Sequence, residues 1–456
     1  MAAQGLKYTD FTHGSVARKM VAFAAPLFFS NLLQAVYNMV DMIVVGQHVG
    51  KAGLSAVAIG GDIQHLLTFL AIGFSNAGQI VIAQYIGAGK TEDVHLVIGN
   101  LFSFLLLASL FFGILGLQFI QPMLSWMNTP VEAWSQAHDY VYVSMCGMVF
   151  IYGYNAVSAV LRGMGDSRHP FVFVAVAAVL NAVLDIILVI LLDMSAFGAA
   201  LATVISQGFS FLLGICYIVG SRKNLGLELQ VSSFRWKRQI MLPLLRLGFP
   251  MAIKNAAIMF SKIFVNSWIN SWGVVASSAA GIASKINVIG NLFSNALNVS
   301  GSTMIGQNIG AEKYERVPMI MKTIACFGFS TCLTLSGMVV LFPEMVFGIF
   351  TSDIDVIDAS LRMIPCIVLL FVGSACRSPN NALIDGSGNY RLNFLVAILD
   401  GIVFRIGFAV LFGLVLKQGW LGFLYGDALA GFTPLFIGGA YFLSGKWKTR
   451  STLLSR

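Results

Sequence analysis

The chain has 456 residues, of which 57% are hydrophobic and 11% charged. A soluble domain carries about 25% charged residues, so this composition excludes a water-soluble globule and describes a chain that lives in lipid. Its formal net charge of +8 needs no nucleic-acid partner, because a one-sided loop bias of Lys and Arg accounts for it.

A spanning helix needs about 20 apolar residues. Twelve stretches reach that length: 20–46, 53–86, 94–119, 133–162, 169–192, 195–220, 240–271, 277–309, 319–342, 355–384, 392–416 and 419–444. Short alternating segments of the kind that build a β-barrel do not occur. The first residues are polar and show no apolar core ahead of a small-residue cleavage site, so no cleaved signal peptide is expected. Sixteen Lys and Arg residues, among them Lys7, Arg18, Lys19, Lys223, Arg235, Lys237, Arg238 and Arg450, fall on one side of these spans. Lys51 and Lys417 fall on the other. Both termini are therefore expected in the cytoplasm.

The first span carries Asn31, Gln34, Asn38 and Asp41 at spacings of three, four and three, which places them on one helix face. That face turns to a polar cavity or a partner helix, because an ionisable group at the bilayer centre costs about 2.5–3.5 kcal/mol. Pro26, in the same span, removes a backbone hydrogen bond and permits a hinge or a static kink. Asp62 lies in span two. Span four carries Tyr140, Tyr154 and Asn155. Span five carries Asn181 and Asp185, and span six Thr203 and Gln207, each pair four residues apart. Burial disfavours an ionised carboxylate and two neighbouring ones repel, which suits a group that exchanges protons with water. The same oxygens also suit Na⁺, and a purely structural network between helices is the third possibility.

The polar loop 221–239 separates an N-terminal lobe, 1–220, from a C-terminal lobe, 240–444, followed by a basic tail, 445–456. Span seven carries Pro250, Lys254 and Lys262. Lys262 is near enough to a helix end to snorkel, whereas Lys254 and Lys285, on span eight, are expected to be deeper. Arg377 lies in span ten, and Asp400 and Arg405 in span eleven, five residues apart, a poor spacing for a direct α-helical pair. The acidic pocket of the N-terminal lobe therefore has a basic counterpart.

The two lobes repeat one another. Gln84–Val94 (QYIGAGKTEDV) and Gln307–Val317 (QNIGAEKYERV) share seven of eleven positions at an offset of 223 residues. Gly163-x-Gly165 and Gly386-x-Gly388 keep the same offset. Six spans per half give the halves one orientation, so they are parallel repeats, and transporters place their sites where such repeats meet. Asp62 and Lys285 occupy matching slots, which suggests an ion pair between lobes in one transport state. Separate partners within each lobe are the equal alternative. Gly87-Ala-Gly-Lys-Thr91 falls short of a phosphate-binding loop, since Gln84 stands where the first glycine belongs, and it reads better as a helix exit. The six cysteines form no CxxC pair and no histidine begins His-x4-Asp, so neither a zinc site nor an intramembrane transferase is indicated.

With these residues in view, the chain resembles the multidrug and toxic compound extrusion (MATE) family. The likeness rests on Asn38-Met-Val-Asp41 in span one, Gln84-Tyr-Ile-Gly-Ala after span two, Leu161-Arg-Gly-Met-Gly-Asp166 after span four and Gln307-Asn-Ile-Gly-Ala after span eight. The resemblance implies an all-α membrane protein of twelve helices, in two six-helix lobes forming a V-shaped cleft. It implies export of organic, often cationic, compounds in exchange for H⁺ or Na⁺, by a monomer in a prokaryotic inner membrane, without a cofactor. A lipid or lipid-linked glycan flippase of the same superfamily is the alternative. The pattern is similar to the DinF branch, which implies ion coupling at Asp41, Asn181, Asp185, Thr203 and Tyr140, with Tyr142 a close neighbour of the last, and bending at Pro26. Na⁺, if used, would sit among Asp41, Asn181, Asp185 and Thr203. Gln34, Asn38, Asp62, Gln207, Lys254, Lys285 and Arg405 are candidates for the substrate cleft, and Pro26 and Pro250 for hinges. The NorM branch adds acids in spans seven and ten, where this chain has Lys254-Asn255 and no acid before Asp385.

Overall fold

Long apolar runs without a breaker fold as long helices, and the chain is helical nearly throughout in a computed structural model. The structure describes residues 8–222, 224–228 and 230–449. Lys7, Lys223, Arg450 and the tail beyond residue 449 lie outside the described residues. No strand occurs among those described. The first repeat is built from α1 (Val16–His48), α2 (Lys51–Gly87), α3 (Val94–Gln118), α4 (Val131–Cys146), α5 (Met148–Gly163), α6 (Arg168–Asp185) and α7 (Ser195–Gly220). The second is built from α8 (Arg238–Asn270), α9 (Val274–Gly310), α10 (Val317–Leu341), α11 (Ile364–Gly386), α12 (Tyr390–Ile398), α13 (Arg405–Val410), α14 (Gly419–Ala430) and α15 (Thr433–Leu443).

Among the described residues, nine helices are long and apolar enough to cross a membrane, and ten if α4 and α5, bent by 51°, count as one span. The stretches expected as spans seven and eight form α8 and α9, 33 and 37 residues long. These have ample length but too much polarity to qualify on composition: α8 alone carries Arg246, Lys254 and Lys262. The break in span four falls at Gly147, where a Cβ would stand 2.3 Å from Val204 Cγ2, so α7 packs onto bare backbone at the bend. Rows of apolar side chains such as Phe111, Ile114, Val179 and Phe436 remain exposed, as helices bathed in acyl chains require.

The repeat extends to backbone conformation. Gly50 and Gly273, which open α2 and α9, both have positive φ, as do Gly165 and Gly388. Gly89 and Glu312 also share a left-handed slot, with φ of 71° and 58°. The turn after the QxIGA motif is thus kept even where glycine is not, although a side chain there is strained.

The chain forms two compact units, and their boundary does not follow the loop 221–239. One unit comprises Ala25–Gly248 with the chain up to Asp10; the other comprises Phe11–Ala24 and the chain from Phe249 on. The divisions thus fall just ahead of Pro26 and Pro250, inside α1 and α8. Local hydrogen bonds explain this. In the second unit the Phe11 N–H donates to Gln307 Oε1 (2.9 Å), Asn308 Nδ2 to the Phe11 carbonyl (3.2 Å) and Arg316 Nη2 to the Gly14 carbonyl (2.9 Å). In the first unit Asn100 Nδ2 donates to the Ser233 and Arg235 carbonyls, and its Oδ1 accepts from the Lys237 N–H (3.0 Å). Phe11 and Phe234 occupy the same repeat slot. The entry strand of each repeat is therefore fastened to helices of the opposite repeat.

Candidate functional site

In the first unit, α1, α4, α6 and α7 bring polar groups together. Asp41, Asn181, Asp185 and Thr203 are all buried. Thr203 Oγ1 donates to Asp41 Oδ2 at 3.3 Å, and the carboxyl groups of Asp41 and Asp185 lie within interaction range of each other. Their hydrogen bonding is incomplete: Asp41 Oδ1, both Asp185 oxygens and both polar atoms of the Asn181 side chain find no well-formed partner among the described residues. Buried polar atoms left in this condition are costly, which marks the cluster as a candidate site for a proton or an ion. Two carboxyl groups, an amide oxygen and a hydroxyl form an all-oxygen set that fits either a proton or a hard monovalent cation. Asp185 ends α6, and a π-helical segment, Ile186–Leu191, follows directly; such distortions concentrate at functional sites.

Tyr140 is 6% exposed and faces these carboxyl groups, whereas Tyr142 is 48% exposed, so the interior position belongs to Tyr140. Its ring lies flat against Gly60 of α2, where a Cβ would stand 2.3 Å from Tyr140 Cδ1. We expect Gly60→Ala to push the ring out of place, at a cost of about 1–3 kcal/mol. A lowered melting temperature together with reduced transport by the surviving protein is the expected reading.

Beside the cluster lies a small, partly open pocket lined by Gln34, Tyr37, Tyr154, Asn181, Thr203 and Gln207, among others. Gln207 Nε2 donates to Tyr37 Oη at 3.3 Å. Asn38, expected on this face, is exposed instead. At about 100° per residue Tyr37 lies roughly 40° from Asp41 and Asn38 roughly 60° away on the other side, which turns Tyr37 inward and Asn38 out. The polar stripe in the sequence passed over Tyr37 because an aromatic residue in a span reads as packing; its i, i+4 spacing to Asp41 is the signal that identifies it.

The second unit is arranged differently. Lys254 forms an ion pair with Asp385 at 3.5 Å and donates to Asn393 Oδ1 at 3.4 Å. Arg405 is buried between two acids: its Nη2 donates to Asp400 Oδ1 at 2.9 Å and its Nη1 to Asp427 Oδ1. The five-residue spacing thus does pair, contrary to expectation. Leu399–Phe404 is a π-helix, whose wider i→i+5 turn sets residues five apart on one side. Asp427, on α14, has no counterpart in the first repeat, where its slot holds Val204. The second unit is therefore not free of acids; its acids are neutralised by bases. Lys285 and Asp62 are both exposed. Lys262 is not a bland snorkelling residue at a helix end, for it lines a cavity with Arg377 and Arg405.

The MatE family model matches the chain twice, over residues 26–187 and 250–411, in blocks of equal length that start at Pro26 and Pro250. The chain belongs to the MatE family. It is accordingly a multi-pass membrane transporter of small molecules and not an enzyme. Among its MatE relatives, the probable multidrug resistance protein YpnP of Bacillus subtilis is 27% identical, over 97% of this chain and 98% of its own. The probable multidrug resistance protein NorM of Thermotoga maritima is 26% identical, over 96% and 94% respectively. The fold matches crystal structures of MATE in a straight conformation (TM-score 0.87, 23% identity, 97% of this chain and 100% of that one) and in a bent one (0.86, 22%, 97% and 100%). In this MatE chain each matched block thus begins at the proline that lies just inside a unit boundary, and the buried carboxyl pair falls in the first block alone.

Proposed function

We propose that the chain is a secondary active multidrug efflux antiporter, exporting organic compounds in exchange for H⁺ or Na⁺ by alternating access. The reading places it as a monomer in the inner membrane of a prokaryote with both termini cytoplasmic, in keeping with the one-sided loop bias of Lys and Arg. The observation that carries it is the asymmetry of the buried acids. Asp41 and Asp185 sit side by side without a basic partner among the described residues, whereas Asp385, Asp400 and Asp427 each pair with Lys or Arg. An acid pair that no protein cation neutralises is the group whose free energy changes most when it takes up an ion from water. Relatives described as multidrug resistance proteins support the export of varied compounds, and MATE structures described as bent and as straight are in keeping with a transporter that changes conformation.

Coupling then follows from differential affinity. An ion taken up by Asp41 and Asp185 shifts the conformational equilibrium only as far as it binds one state better than the other. Asn181 and Thr203 belong to the cluster and also line the adjoining pocket, and Tyr37 lines that pocket within range of Asp41, so occupancy of one affects the other. The test is dye export from proteoliposomes in which the pH gradient and the Na⁺ gradient are imposed separately. Uphill dye movement under one gradient is expected, and its absence under both would refute the antiport reading.

A further inference from the structure

The second unit contains a small, partly open pocket whose wall holds Lys262, Arg377, Arg405 and Asp427, with Leu370 and Ala428 as apolar neighbours. Three cations and two carboxylates, Asp400 and Asp427, make up this buried group. Arg405, 2% exposed, engages both carboxylates, so the acids are already committed. Arg377 donates only to Asn291 Oδ1, at 3.1 Å, and Lys262 has no hydrogen-bond or ion-pair partner among the described residues. The group is thus one positive charge in excess, and that excess sits on Lys262 and Arg377, both facing the cavity. A buried cation is costly unless an anion meets it, and an Arg fork beside a Lys point charge is a carboxylate-recognising pair.

We propose that this cavity binds the carboxylate of an amphipathic organic monoanion, held by Lys262 Nζ and the Arg377 guanidinium, with its apolar body against Leu370 and Ala428. The excess of a single charge selects a monoanion over a phosphate dianion. The apolar wall selects an organic anion over a hydrated inorganic one. Only the further idea that the bound anion is carried as cargo rests on the efflux reading; binding itself does not.

The experiment uses the full chain in lipid nanodiscs without any gradient, so that binding succeeds or fails independently of export. Binding of 1-naphthoate is titrated calorimetrically and compared with the uncharged 1-naphthalenemethanol. We expect saturable naphthoate binding, at least about tenfold tighter than the alcohol, and a loss of about tenfold or more in Lys262→Met and in Arg377→Met. Lys262→Arg, which keeps the charge, retains the affinity and decides the matter should the methionine variants not fold. Equal binding of acid and alcohol, unchanged affinity in folded methionine variants, loss of binding in a folded Lys262→Arg, or displacement of naphthoate by millimolar inorganic phosphate at constant ionic strength would each overturn the assignment.

Discussion

Asp41→Asn and Asp185→Asn should each lower gradient-driven export by at least about tenfold at equal protein level, a loss of roughly 1.4 kcal/mol of coupling. The amide keeps the size of the side chain and most of its hydrogen bonding. It removes the negative charge and the site of proton uptake. Thr203 Oγ1 still finds an oxygen at position 41, so the helices remain in place. Stability is expected to hold or rise, because each variant relieves a pair of adjacent buried carboxyl groups. Export and melting temperature should therefore move independently. Export at the unsubstituted level in both variants would remove the coupling role of this cluster, and a fall in melting temperature alongside lost export would make the cluster a structural element.

Arg405→Met is expected to act in the opposite sense, on stability first. Arg405 is enclosed by α13, α14 and the π-helical turn, and it neutralises Asp400 and Asp427 together. Its removal takes away the only cation hydrogen-bonded to Asp400 and Asp427 among the described residues, leaving Lys262 and Arg377 nearby, for which about 3 kcal/mol, the low end for a broken buried pair, is the expected cost. Gly426 adds to the constraint, since a Cβ there would stand 2.3 Å from the Ala409 backbone nitrogen; α14 and α13 meet too closely to admit a replacement cation. The check is thermal unfolding in detergent of Arg405→Met and of the combined Arg405→Met/Asp400→Asn/Asp427→Asn. Removing all three charges together should restore part of the lost stability, the remainder being held back by Lys262 and Arg377, which then face no acid. A single variant as stable as the unsubstituted chain would show that the buried triad carries no such weight.

Much of the first unit's site was legible because helical spacing is a strong signal. Asn181 and Asp185 lie four apart, as do Thr203 and Gln207, and the structure turns these pairs toward Asp41. Three features were not legible, each for a physical reason. Tyr37 is a polar tip on an aromatic body, and in a span the body dominates the reading. Asp400 and Arg405 pair only across a π-turn, and no residue pattern announces the change from an i→i+4 to an i→i+5 ladder. Asp427 is a lone acid in an apolar helix, without a repeat mate to draw attention to it. The repeat showed two lobes, yet where compact units divide depends on long-range bonds such as Phe11 to Gln307 and Lys237 to Asn100, which sequence spacing does not encode.

Those exchanged entry strands set an order on biosynthesis. When Lys237 leaves the ribosome, its acceptor Asn100 already exists, so the second repeat docks as it emerges. Phe11 and Gly14 have no such partners in place: Gln307 and Asn308, which hold Phe11, and Arg316, which holds Gly14, are made some 300 residues later, roughly 15–60 s at about 5–20 residues per second. The start of the first helix can therefore be fastened only near the end of synthesis. A ribosome that stalls between the repeats leaves a nascent chain with Phe11 uncovered, a mark by which quality control could tell a half-made transporter from a whole one.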